Sequence, residues 1–139
     1  MSQWTHICGC IRIDFMQAHM SDETLIRLIK DKFGKTAQFE SSEEEWVECD
    51  VPTGSEGSVQ YEVALTGNQS SLARVVVYIW ADLRFFGEDD VNELINWVKN
   101  STDKLFVRQG VVTIGVEYGK KRVMWFDGET NSWKVRTVK

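Results

Sequence analysis

Trp4-Thr5-His6-Ile7-Cys8-Gly9-Cys10-Ile11-Arg12-Ile13-Asp14-Phe15 is the stretch whose reading decides the fold. Successive side chains of a strand point to opposite faces. Ile7, Ile11, Ile13 and Phe15 therefore fall on one side, and Trp4, His6, Cys8, Cys10, Arg12 and Asp14 on the other. The first face is core. The second is polar, aromatic and chemically loaded, and the strands that flank this one decide what it meets.

Outward from that strand, Met16 to Met20 is a short connection, and Ser21 or Asp22 caps a helix running to about Phe33, with Gly34 as its stop. Leu25, Ile26, Leu28, Ile29 and Phe33 form its apolar stripe, and Lys30, Lys32 and Lys35 gather near its C-terminal end. Glu40 and Glu43 to Asp50 form an acidic stretch, within which Trp46 to Val51 alternates like an edge strand or solvated loop. Pro52 to Ser58 is a turn cluster leading into a strand over Val59 to Leu65. Thr66 to Ser70 makes a hairpin loop back into Leu72 to Leu83. There Ala73, Val75, Val77, Ile79 and Ala81 share one face, and Arg74, Val76, Tyr78, Trp80 and Asp82 the other.

A second helix is expected from about Glu88 to Asn100. Glu88, Asp89 and Asp90 suit its first turn, and Val91, Leu94, Ile95 and Val98 line one side. Leu105 to Tyr118 follows as a strand with a bulge at Gly110, then Arg122 to Asp127, then Trp133 to Val138. The order strand, helix, strand, strand, helix, strand describes an α+β ferredoxin-like sandwich (βαββαβ) with one or two extra C-terminal strands. Two helices cover one face of its antiparallel sheet. In that topology the first strand is central and its loaded face lies open beside Arg74, Tyr78 and Trp80, near Gln60 and Glu62.

Composition narrows the function classes. A chain of 139 residues that is 42% hydrophobic suits one core, so a single domain over residues 1–139 is expected. Neither a long apolar run nor a signal-peptide pattern appears, which points to a cytoplasmic protein away from membranes. Three cysteines imply no disulfide framework. A net charge of −5 argues against binding long nucleic acid.

His6, Cys8 and Cys10 share one strand face, yet zinc ligands normally come paired from turns, and no such pairing is present, so no metal is expected. A Cys-His nucleophile would need an orienting third group, and none is identifiable. Met16-Gln17-Ala18-His19 lacks the glycine and arginine of an acyl-phosphate-binding loop. The expectation is therefore no catalytic residue, no enzyme and no cofactor.

What the open face does offer is a place for a small nucleotide-like ligand. Arg12 and Arg74 would hold phosphate and Tyr78, Trp80 and Trp4 would stack the base, while Gly54, Ser55, Gly57 and Ser58 of the turn cluster close the site with backbone N–H groups and hydroxyls. Aromatics and arginine are also what protein interfaces enrich, so a homo-oligomer interface on the same face is expected as well.

Trp4-Thr5-His6 with Gly9 and Ile11-Arg12-Ile13-Asp14, then Gly54-Ser55-Glu56-Gly57-Ser58 with Gln60-Tyr61, resembles a group of small proteins encoded by tailed bacteriophages. The likeness extends to Ser71-Leu72-Ala73-Arg74 and Ala81-Asp82-Leu83-Arg84. The resemblance implies a setting: a non-catalytic protein in the host cytoplasm that antagonises bacterial defence. It would do so by sequestering a nucleotide immune signal or, alternatively, by binding a host defence effector or nuclease directly.

Overall fold

The computed structural model describes residues 3–15, 20–36, 50–66, 73–84 and 87–138. The elements are β1 (Trp4–Phe15), α1 (Asp22–Phe33), β2 (Gln60–Thr66), β3 (Ala73–Arg84), α2 (Glu88–Thr102), β4 (Phe106–Val116), β5 (Lys121–Asp127) and β6 (Ser132–Val138). They make an α+β structure in which one six-stranded sheet has the order β2-β3-β1-β4-β5-β6, every neighbouring pair antiparallel. β1 lies between β3 and β4, the central place that the order of elements predicts. The proposed strand over Trp46 to Val51 and the hairpin loop after Thr66 fall largely outside the described residues, as does the connection after Phe15.

Strand alternation explains which face is buried. Ile7, Ile11 and Ile13 of β1 join Val75, Val77, Ile79, Ala81 and Leu83 of β3 and Val112, Ile114 and Val116 of β4 in one core. Leu25, Ile29 and Phe33 of α1 and Val91, Leu94, Ile95 and Val98 of α2 complete it, so both helices cover the same side. Ser21 caps α1, its Oγ accepting from Thr24 N at 3.2 Å. At the other end Gly34 takes φ 92°, a left-handed conformation suited to glycine. The exposed carbonyls there find aromatic donors: Trp97 Nε1 donates to Phe33 O (2.9 Å) and Tyr61 Oη to Gly34 O (2.6 Å). Burial, aided by Asp31 and Asp50, raises the Tyr61 pKa.

Three details differ from what the sequence suggests. α2 continues past Asn100 to Thr102, because Ser101 and Thr102 are buried and Thr102 Oγ1 donates to Val98 O at 2.8 Å. β4 stops at Val116, with Glu117 to Lys120 turning into β5. The irregularity in β4 sits at Arg108 and not at Gly110: the register passes from Arg12↔Gln109 to Ile13↔Val107, while Gly110 stays in register opposite Ile11. Gly110 serves another purpose, since a Cβ there would lie 2.6 Å from Cη2 of Trp133.

Candidate functional site

Among the described residues, no element covers the face of the sheet away from the helices. Paired residues of neighbouring strands point the same way, so the register across β3, β1, β4 and β5 aligns Tyr78, Cys10, Val111 and Trp125 in one row. Beside it runs a second row of Trp80, Cys8, Thr113 and Val123. At about 4.8 Å per strand the strip is about 14 Å wide. Tyr78 and Trp80 are each 46% exposed, Val111 almost as much and Trp125 36%, and Cys8 and Cys10 are free, exposed thiols. The strip has a charged margin on both sides. Glu62 of β2 flanks it on one, Lys134 and Arg136 of β6 flank it on the other, and Asp82 of β3 and Lys121 of β5 stand at the end beyond Trp80 and Val123.

One end of the face carries arginines. Asp14, its side chain 2% exposed, accepts from Arg12 Nε at 3.3 Å and from Arg108 Nε at 3.0 Å. The Arg108 guanidinium also lies over the Phe106 ring, 5.4 Å from its centroid. Arg74 occupies the register position opposite Asp14 on β3; its side chain is outside the described residues.

The other end holds His6 and the turn cluster. His6 Nδ1 meets Asp82 Oδ1 at 2.5 Å and Nε2 meets Glu117 Oε1 at 2.9 Å. Only the imidazolium donates from both nitrogens, so Asp82 first and Glu117 second raise the His6 pKa above its usual value. Neither nitrogen is left to activate the Cys8 thiol. The two carboxylates sit at opposite nitrogens rather than around one point, and among the described residues no group of three or more His, Cys, Asp or Glu side chains is placed to hold a metal ion.

In the turn cluster, Gly54 N donates to Gly57 O (3.0 Å) and Ser55 N to Arg84 O (2.9 Å), while Glu56 O accepts from Arg84 N (3.0 Å). Gly57 has φ 81°, and a Cβ there would lie 2.2 Å from Asp82 O. These glycines let the loop press against the end of β3, and two of its N–H groups are spent on the protein itself.

The sequence-derived site is thus divided. Arg12 and Tyr78 come together, since Tyr78 pairs with Cys10, two residues from Arg12 on β1, a diagonal of about 7–8 Å; Trp80, paired with Cys8, adjoins Tyr78 but lies about 14 Å from Arg12. Trp4, paired with Arg84, lies eight residues along β1 from Arg12, about 27 Å away. Gly54, Ser55, Gly57 and Ser58 belong to that distant end too, linked to it through Arg84. Sequence reasoning missed Arg108, Gln109, Val111 and Trp125, which share the open face. Val107 carried the signal that was available, because it is out of phase with Val112, Ile114 and Val116 and so marks a bulge between them.

The fold and face describe an α+β sandwich whose sheet is half-dressed, with helices on one side and an aromatic strip on the other. In comparisons with family models, curated proteins and solved structures, nothing matches this chain.

Proposed function

We propose that the protein is a non-catalytic binding protein that holds a small nucleotide-type ligand on the uncovered face of its sheet. The observation that carries this reading is the exposed pair Tyr78 and Trp80, with Arg12 one diagonal step from Tyr78 on the side away from Trp80. Planar bases stack on such rings for about 1–3 kcal/mol each, and an arginine at that distance suits the phosphate of the same molecule. The strand order β2-β3-β1-β4 supports a ferredoxin-like reading of the first six elements, with β5 and β6 appended. In the phage setting that the resemblance implies, such retention would withdraw a nucleotide signal from host defence.

The strip favours a second reading as well. It continues past the ligand-sized patch to Val111 and Trp125 and has charged margins, the anatomy of a protein interface. A host defence protein or a second copy of the chain would fit there. Calorimetry with AMP, cyclic AMP and cyclic di-AMP tests the first reading, with Trp80→Ala and Tyr78→Ala expected to weaken binding about fivefold to 100-fold. If the wild type binds none of the three, the nucleotide reading falls. If both variants bind as the wild type does, the rings do not stack a base.

A further inference from the structure

We infer that Arg12 and Arg108 form an oxyanion site, built on the buried Asp14 and suited to a phosphate group. Each guanidinium reaches Asp14 through Nε, at 3.3 and 3.0 Å, and so presents its side to the carboxylate. The terminal Nη groups of both have no partner among the described residues, while the side chains are 36% and 52% exposed. A single arginine would neutralise Asp14. Among the described side chains, two guanidinium charges against one carboxylate leave one net positive charge at the surface, with both forks still carrying unspent donors.

The site is organised before any ligand arrives. Asp14 is fixed in the central strand and sets both Nε atoms, and Phe106 supports the Arg108 plane from the other side. The β4 bulge is the device that allows it. By skipping one residue between Val107 and Gln109, it turns Arg108 to the uncovered side and leaves Val107 in the core. Holding the forks in place in advance removes much of the ordering cost that flexible surface arginines would incur on binding. Gln109, exposed and opposite Arg12, adds an amide donor at the margin.

The chemistry that fits is a phosphate oxyanion, either free or as part of a nucleotide. The ion-pair geometry alone carries the oxyanion site; only its use together with Tyr78 rests on the function proposed above. Inorganic pyrophosphate, inorganic phosphate, AMP and adenosine separate these. Pyrophosphate, titrated into the wild-type protein, is expected to shift the Nε–Hε resonances of Arg12 and Arg108 and not that of Arg136, and to bind more weakly as salt is raised.

Arg12→Gln and Arg108→Gln should each weaken pyrophosphate binding at least about tenfold, whereas Lys134→Gln, an equal loss of charge on the far margin, should change it less than about twofold. Arg108→Lys keeps the charge beside Asp14 and loses the fork, so it provides a folded comparison and is also expected to bind about tenfold less well. An unchanged arginine spectrum, or equal weakening by Lys134→Gln, overturns the site. Tight pyrophosphate binding with AMP no better than phosphate keeps the oxyanion site and removes the stacking reading. Binding of adenosine without phosphate or pyrophosphate does the reverse.

Discussion

Gly110→Ala is expected to destabilise the protein by about 2–4 kcal/mol, and the structure fixes both parts of that figure. The new Cβ would stand 2.6 Å from Cη2 of Trp133 and 3.3 Å from its Cζ3. Carbon atoms rest at about 3.5–4.0 Å, so the indole must withdraw by about 1 Å. Overpacking of that kind costs about 1–3 kcal/mol. The indole is also tethered: its Nε1 donates to Thr102 Oγ1 at 2.9 Å, and its ring meets Phe126 edge-on at 5.6 Å between centroids. A withdrawal of that size breaks the hydrogen bond, adding about 1 kcal/mol. Urea unfolding should show the loss in the midpoint with little change in slope. A second substitution tests the cause. With Trp133→Leu in place, Gly110→Ala has little to clash with, so the pair should be less damaging than the sum of the singles by at least about 1 kcal/mol. Strict additivity, or a cost for Gly110→Ala below about 0.5 kcal/mol, would refute the steric reasoning.

The His6 clamp predicts a pH dependence of defined sign. Because the folded-state pKa is raised, the clamp's contribution is complete below the unfolded value of about 6.5 and fades as pH rises through the folded one. The stability difference between wild type and His6→Gln should therefore be largest near pH 5.5–6 and smallest near pH 9, and worth about 1 kcal/mol or less because all three side chains are substantially exposed. A difference that grows with pH contradicts the clamp. Ser21→Ala should cost about 1 kcal/mol in chemical unfolding by removing the α1 cap, and Ser21→Asp should restore most of it. Equal stability of all three proteins would mean that the cap bond contributes nothing.

Much of the fold was legible because alternation is a local signal. Ile7, Ile11 and Ile13 against Cys8, Cys10 and Arg12 assign the faces of β1 without reference to any other strand, and Val75 to Leu83 do the same for β3. Both helices announce themselves through their apolar stripes, α1 also through its Ser21 cap and Gly34 stop, and α2 through the acidic first turn Glu88 to Asp90. The candidate site was less legible because it depends on distance along strands and on one register shift. Trp4 and Arg12 share a face by parity, but parity does not say that eight residues of extended chain separate them. Gly110 drew the bulge because glycine suits one; Arg108 took it because Val107 is the residue worth burying. The turn cluster resembled an anion nest for the same glycines that it uses to approach Asp82 and Arg84.

The two faces of the sheet show why the uncovered one calls for a functional explanation. Six strands span about 24 Å, and two helices packed side by side cover about 20 Å of that. On the helix side most of the remainder is covered: Met124 is fully buried, and Phe126 and Trp133 pack against the core, the indole lying over Gly110 and bonded to the end of α2, while Val135, paired with Met124, stays exposed on the last strand. The folding requirement is met on that side through β5 and Trp133. On the opposite side Tyr78, Trp80 and Val111 remain about half exposed and Trp125 about a third, in adjoining positions where threonine or a charged residue would serve a solvent-facing strand as well. Asp14 sharpens the contrast. Burying a carboxylate is costly, and an apolar residue of similar size in its place would stabilise the sheet as well or better. What such a residue could not do is draw two arginine forks to one end of an aromatic strip and fix them there. The departures from what stability alone would select lie on the same face and converge toward Arg12 and Tyr78, which is where a bound molecule is expected.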